Sequence, residues 1–429
     1  MDGSLGDNVR KLILLLMLLF AIPAMTATLY TSSTGTDSGD CQTLSHPCNL
    51  SNSLHYEFDQ VTAGNADIIY MCAAACDGTG SAILDIAMDE GAAYGSIPSF
   101  WGHVPVGTSW ENAMTVMPYP GETITWKPNY DYPIRLCKPE TKYTIWKNFA
   151  IDGSLKTSYV DGAAGITVGY FSDGGVDHNR FQGVEVKNCA GVGIYNYAQY
   201  TEYIDMSIHD TGFSTEYPYP DGRGHAIYLS SGSSEPASSS YVLIQGGSIY
   251  NQYSPDHYNR YAIHSNYTTY ANSHIRVKGV KIYHNTHGIL FRGGSDNIAY
   301  NNLIYDSYYY GFVQYSDGSS TSYNNTFVDN YGPILLDGAS VSATARNNIY
   351  YSNTVDDVSY LNEADSGDLT ESNNLKGTDP LFTNYAGGDY SITSSSPAKD
   401  TGYNLAGTVD TDYIGTSRPQ PLGGSFDIG

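Results

Sequence analysis

From Gly165 onward the chain repeats one short motif, a small residue followed by an apolar one: Gly165-Ile166, Gly193-Ile194, Ala226-Ile227, Ala262-Ile263, Gly288-Ile289, Gly311-Phe312 and Pro333-Ile334. The steps between these markers are 28, 33, 36, 26, 23 and 22 residues. A second series follows all but the first of them, at Ile208, Ile249, Ile282, Ile304, Phe327 and Ile349, and its last three steps are 22, 23 and 22 residues. Two separate markers thus share one period. A unit of this length, made of short strands and Gly, Asn, Asp or Ser turns, cannot bury its apolar face alone and gains a core by stacking on its neighbours. The expected architecture is an all-β solenoid of stacked coils.

Strand alternation then assigns sides. With Ile194, Ile227, Ile263, Ile289 and Phe312 pointing inward, the next residues form an outer column of Tyr195, Tyr228, His264, Leu290 and Val313. Two residues beyond that outer column lies a second one of Tyr197, Ser230, Asn266, Arg292 and Tyr315. Neighbouring strands lie about 4.8 Å apart, so His264, Asn266 and Arg292 should share a solvent-facing patch with Tyr195, Tyr197 and Tyr228. His225 and His287 stand two residues before the inward Ile and read as structural histidines. Asn or Asp recurs after the second strand, at Asp210, Asn251, Asn285, Asp306, Asn330 and Asn353, where a side-chain ladder would satisfy backbone groups at a corner. The wider steps between Ile194 and Ile263 mark insertions, 211–223 and 231–240, which in a solenoid emerge from one face.

Composition narrows the partners. Acidic residues number 44 and basic ones 20, a formal charge of −24, which argues against nucleic acid because phosphate binding needs a broad basic surface. Forty tyrosines against 12 Phe and 4 Trp favour strands. Arg10 and Lys11 precede the apolar run Leu12 to Ile22, too short to span a bilayer, and Pro23, Ala24, Thr26 and Ala27 follow. Residues 1–27 therefore read as an export signal, and the protein is expected to be secreted without stable membrane insertion. Six cysteines suit an oxidising compartment: Cys41 with Cys48 and Cys72 with Cys76 could close small rings, and Cys137 with Cys189 are a possible third pair. Along the chain, residues 28–160 read as a cap, first coils and a loop-rich insertion, 161–355 as regular coils, and 356–429 as an irregular tail.

The ends add a family signal. Leu29-Tyr30 and Gly35-Thr36-Asp37-Ser38 open the chain after residue 27. Asp379-Pro380-Leu381-Phe382, Gly388-Asp389-Tyr390, Ser396-Pro397-Ala398, Asp400, Gly402, Arg418-Pro419 and Asp427-Ile428-Gly429 follow in order at the other end. With the coils, these motifs resemble the secreted right-handed parallel β-helix proteins of the pectate-lyase-like superfamily. The resemblance implies one right-handed parallel β-helix with three short strands per coil, from about Ile68 to Ile349, and a C-terminal tail packed back on the coils. It also implies an extracellular setting. The superfamily spans lyases, hydrolases, epimerases and adhesins, so the chemistry must be argued from the site.

One window reverses the charge of its surroundings. His257 to Ser295 holds Arg260, Arg276, Lys278, Lys281 and Arg292, with His257, His264, His274, His284 and His287 and no Asp or Glu, so it carries +5 while the rest of the chain carries −29. Such a window suits an anionic ligand, and the preferred reading is a lyase that cuts an acidic, uronate-containing polysaccharide by β-elimination. That reaction needs the carboxylate neutralised, a base for the adjacent C–H proton and an acid for the leaving oxygen. Expected in these roles are His264 as base with Lys278 as the alternative, Tyr228 as acid, and Arg292 among the cations. Arg260 and Arg276 would add to the cation set, and Tyr195, Tyr197, Asn266 and Tyr315 would bind sugars. Calcium could replace part of the cation set, but no carboxylate cage stands out to hold it. Two other readings remain: a non-catalytic glycan-binding, adhesin or self-assembling surface protein, and a glycoside hydrolase. For the latter, Asp205, Asp210, Asp221 and Asp256 are the nearest carboxylates, and none makes a motif.

Overall fold

The structure is a computed structural model that describes residues 28–32, 44, 48–49, 68–73, 76–84, 88–89, 107–127, 133–137, 141–155, 164–169, 176–212, 224–231, 238–252, 259–266, 271–355, 357–362 and 364–429. The expected signal segment, Cys41, Asp221, Asp256, His257 and most of both insertions lie outside these residues. The rest winds into a right-handed parallel β-helix. Among the described residues a first sheet has 13 strands, ending in Leu369–Ser372; a second has 11, from Ser81–Leu84 to Leu375–Lys376; and a third has 10, from Met88–Asp89 to Ser359–Leu361. The chain visits them in that order once per coil, as in Glu202–Ile204, Ser207–His209 and Ile227–Leu229, before returning to the first sheet at Leu243–Gln245. The coils extend beyond the expected span of Ile68 to Ile349: Thr28–Ser32 already pairs with Ile68–Cys72, and Leu375–Lys376 pairs with Ile349–Tyr351.

The first marker series is the inner column of the third sheet. Ile166, Ile194, Ile227, Ile263, Ile289, Phe312 and Ile334 pair in that order and are all fully buried. Each such side chain contributes about 1.5–3 kcal/mol of burial. The small residue before them is set by coil spacing: a Cβ on Gly288 would lie 2.1 Å from the carbonyl oxygen of Gly311 on the next coil. The second series lines the second sheet but ends one residue off. Phe327 pairs with Tyr350, not Ile349, and Tyr350 is fully buried. Ile349 alternates to the outer face, where Ala398 and Ile428 of the tail cover it.

Two corners close the coil with amide ladders. From Lys147 on, the first and second sheets are joined by two residues, the first of them left-handed, as at Asn301, Asn324, Asn347 and Asn373 with φ of 53, 47, 57 and 53°. The next residue turns inward: the N–H groups of Asn302, Asn325 and Asn348 donate to the Oδ1 of Asn325, Asn348 and Asn374 at 2.9, 3.0 and 2.8 Å. The corner after the second sheet holds two adjacent columns instead of the single one expected. Asp210, Asn251, His284, Asp306, Asp329 and Ser352 are left-handed. One residue later, Gln252, Asn285, Ser307, Asn330 and Asn353 are buried, and the N–H groups of Gln252, Ser307 and Asn330 each donate to the next coil's amide at 3.0 Å.

The C-terminal tail forms the hairpin Phe382–Asn384 with Asp389–Ile392 and packs back on the coils, where Asn324 and Asn347 donate to the carbonyls of Asp427 and Tyr403 at 2.9 and 2.8 Å. Cys72 and Cys76 form a disulfide. Cys137 and Cys189 are not bonded to each other: they are buried at different corners and directed at the carbonyls of Gly169 (3.3 Å) and Lys187 (3.6 Å).

Candidate functional site

All the long connections in the middle of the chain adjoin the third sheet: 210–226 and 251–260 lead into its strands, and 230–242 and 266–275 leave them. Its outer face is therefore the one that loops can wall. Register places Tyr195, Tyr228, His264, Leu290 and Val313 side by side on that face, with Arg292 beside Tyr315 in the second column. The column does not face solvent throughout. Leu290, Val313 and Leu335 form a buried apolar cluster under Tyr261 and Tyr310, and the polar stretch stops at His264.

His264 is not the exposed, near-neutral base expected from the sequence. Its ring packs against His225, Tyr228 and Tyr261 at centroid distances of 4.4, 5.0 and 5.1 Å. Burial, then the neighbouring His225, Arg292 and His287, hold its pKa well below the usual imidazole value, so it is neutral at pH 7. Nδ1 lies 2.8 Å from Nε2 of His225. Nε2 is buried and meets no hydrogen-bonding group among the described residues. His225, read from sequence as merely structural, thus belongs to the site; the available signal was a column at the strand entry that alternates His225, Tyr261, His287 and Tyr310.

A hydrogen-bonded chain crosses the face beside it. Arg292 Nη1 donates to Asn266 Oδ1 at 3.0 Å, and Asn266 Nδ2 donates to the Tyr228 hydroxyl at 2.6 Å. The guanidinium also lies 5.3 Å from the centroid of the exposed Tyr315. Tyr195 stacks on Tyr197 at 4.8 Å and meets Tyr228 edge-on at 4.9 Å. Asp337 follows Arg292 and Tyr315 in their column and accepts from Asn362 Nδ2 at 2.5 Å. Burial first, then Asp337 and Tyr315, raise the pKa of Tyr261.

Arg260 enters from the corner just before the strand Tyr261–Ser265. It is half-buried against Gly224, where a Cβ would fall 2.9 Å from Arg260 Nε, and that nitrogen is buried without a partner. Burial lowers its pKa, and no carboxylate among the described residues pairs with it.

The rest of the basic window is elsewhere, because one period of sequence wraps a full coil. Arg276 and Lys278 stand on the first sheet, where Arg276 Nη2 is held 2.6 Å from Asp296 Oδ2, and Lys281 lies over Tyr283 and Tyr305 on the second. Lys278 as alternative base and Arg276 as a sugar contact are therefore not brought into the patch. His274 and His284 pair with Asp296 and Asp306 at 3.7 and 2.7 Å. Asp205 and Asp210 occupy left-handed corner positions flanking the second-sheet strand Ser207–His209. Among the described residues no group of three or more His, Cys, Asp or Glu is arranged to hold a metal ion, and no helix is long and apolar enough to cross a membrane.

A family model described as the right-handed β-helix region matches residues 220–396. A search of curated protein sequences finds no significant match. Among solved structures, the chain is similar to pectate lyase Pel9A, at 11% identity and a TM-score of 0.62 over 95% of this chain and 96% of that one. It is also similar to a rhamnogalacturonan lyase, at 12% identity and a TM-score of 0.56 over 83% of this chain and 90% of the other. At such identities the likeness establishes the fold.

Proposed function

From the premise that this chain is a right-handed parallel β-helix of the pectate-lyase-like fold, we propose that the outer face of its third sheet binds an acidic, uronate-containing glycan and cleaves it by β-elimination. The observation that carries this reading is an unmatched polar set on one sheet face. Among the described residues Arg260 has no carboxylate and His264 keeps a buried nitrogen without a partner, beside Arg292 in a network with Asn266 and Tyr228. Leaving such groups unmatched costs about 1–3 kcal/mol each, and an anionic ligand offsets it. A uronate carboxylate set against Arg260 and Arg292 loses its charge penalty, which acidifies the adjacent C–H. Tyr228 and His264 are the proton-bearing groups beside it, and Tyr195, Tyr197 and Tyr315 offer rings to flanking sugars. The solved structures of like fold are named for lyases of pectate and rhamnogalacturonan, which agrees with this substrate class. The Cys72–Cys76 disulfide accords with the export signal expected in residues 1–27, and we place the protein outside the cell.

The test is a screen of purified protein on acidic and neutral polysaccharides, read by ultraviolet absorbance of unsaturated ends and by new reducing ends. Absorbance on a uronate polymer, suppressed in Arg292→Ala and Tyr228→Phe, is expected. Reducing ends without absorbance would replace elimination by hydrolysis. Neither signal on any polymer would leave a binding or assembly role.

A further inference from the structure

The bonds around His225 decide which nitrogen of His264 carries hydrogen. The backbone N–H of Tyr261 donates to His225 Nδ1 at 3.1 Å, so that nitrogen holds a lone pair and the neutral ring carries its hydrogen on Nε2. His225 Nε2 in turn donates to His264 Nδ1 at 2.8 Å. His264 Nδ1 is then an acceptor, and its own hydrogen sits on Nε2, the buried atom without a partner. The reverse arrangement would set an N–H of His225 against the N–H of Tyr261, two donors face to face. A backbone amide has no second tautomer, so the direction of the chain is built into the fold.

We propose that His225 is a positioning residue that holds His264 as a neutral Nε2–H donor, and that this donor grips an anionic oxygen of the substrate instead of removing a proton. Which oxygen this is rests on the lyase reading: the uronate carboxylate, whose charge grows as the neighbouring C–H proton leaves. A neutral imidazole polarises such an oxygen without surrendering its proton. Among the described residues the titratable and charged groups packed around His264 are His225, His287, Tyr228, Tyr261 and Arg292, and none of them is a carboxylate that would favour an imidazolium. Because Nε2 is closed to solvent, an oxygen reaches it only when a side chain packed on the ring, such as Tyr261, turns aside; the unmatched donor favours that opening.

The proton then moves through Tyr228, whose oxygen already accepts from Asn266. As a phenolate it takes the C–H proton, the double bond forms as the C–O bond to the leaving sugar breaks, and the phenol returns that proton to the leaving oxygen. Tyr228 ends as it began, and no oxidant, reductant or water is consumed.

Selective 15N-histidine labelling of the full chain, read by long-range proton–nitrogen correlations near neutral pH, tests the tautomer without any substrate. Neutral His264 with hydrogen on Nε2 is expected. His225→Phe, which cannot donate, should mix the tautomers, and His225→Gln should restore the lock, because its amide can accept from Tyr261 and donate to His264. Hydrogen on His264 Nδ1, or an imidazolium, in the unmutated protein would overturn the lock whether or not any polymer is cleaved. For the donor role, His264→Gln keeps an N–H and should retain at least about tenfold more kcat than His264→Ala, as expected for one oxyanion donor. Equal losses in the two variants would make His264 a base and sink the donor role. If no polymer in the screen is cleaved, the lyase reading fails by itself, and the same two variants are compared by affinity for a galacturonate trimer. Tighter binding by His264→Gln supports the donor, and equal affinities reject it.

Discussion

Arg260 and His264 show how single groups can be held in states that stability alone would not select. A half-buried guanidinium with no carboxylate beside it among the described residues costs free energy, and a volume-matched apolar side chain removes that cost. Arg260→Met should therefore leave the chain as stable or up to about 1 kcal/mol more stable in urea titrations, while weakening binding to uronate polymers by about tenfold or more. A clear loss of stability would mean that the guanidinium has a structural role. For His264 the sign follows from its depressed folded pKa. As pH falls below about 6.5 the unfolded chain takes up the proton first, so stability is full above that value and declines by up to about 1.4 kcal/mol per pH unit beneath it. The carboxylates of Asp152, Glu185 and Asp357 are also held below their ordinary pKa, but their contributions fade only at lower pH, around and below the ordinary carboxylate values. Between about pH 6.5 and 5, melting temperatures of the wild type should fall more steeply than those of His264→Gln; parallel slopes would show that the imidazole is not held neutral.

Among the elements, the corner ladders do for the polar backbone what the inner columns do for apolar side chains. Asn325 accepts from Asn302 N–H and donates to the Ala299 carbonyl at 2.9 Å in each case, both within the core. Asn325→Ala leaves both groups buried and unpaired, at about 1–3 kcal/mol each, so a loss of about 2–4 kcal/mol is expected in urea unfolding. Asn374, the half-buried last member, should cost less than half as much when replaced by Ala, because water already reaches it and can enter in its place. Similar losses at the two positions would contradict a ladder whose strength depends on burial.

For the molecule as a whole, the charge of −24 opposes the substrate that the site is proposed to hold. Long-range repulsion from the whole surface reaches about 30 Å at 10 mM salt and about 8 Å at 150 mM, whereas contacts with the half-buried Arg260 and Arg292 are screened far less. Salt should then speed the approach of a polyanion without dissolving its grip. The value of kcat/KM on a uronate polymer is expected to rise over that range before falling at higher salt. A monotonic fall would point to an exposed basic surface as the docking site.

The step of 22 or 23 residues, with a small residue before each inward Ile or Phe, sufficed to establish stacked coils, because a solenoid repeats its packing locally and each coil meets the next through the same few positions. It also set the outer column Tyr195, Tyr228 and His264, since alternation along a strand is a local rule. The paired asparagines at 301–302, 324–325, 347–348 and 373–374 were equally visible as a repeat and are the stronger ladder. What the period could not reveal is which residues one coil apart in sequence share a face. Lys278 and Arg276 lie close to His264 in sequence but on another sheet, because a third of a turn separates them. Nor could it reveal the protonation of His264, which depends on burial and on a His225 brought from 39 residues away. Spacing alone determined the coils; the closure of the coil in three dimensions, which sets solvent exclusion and hydrogen-bond direction, decided the chemistry available at the site.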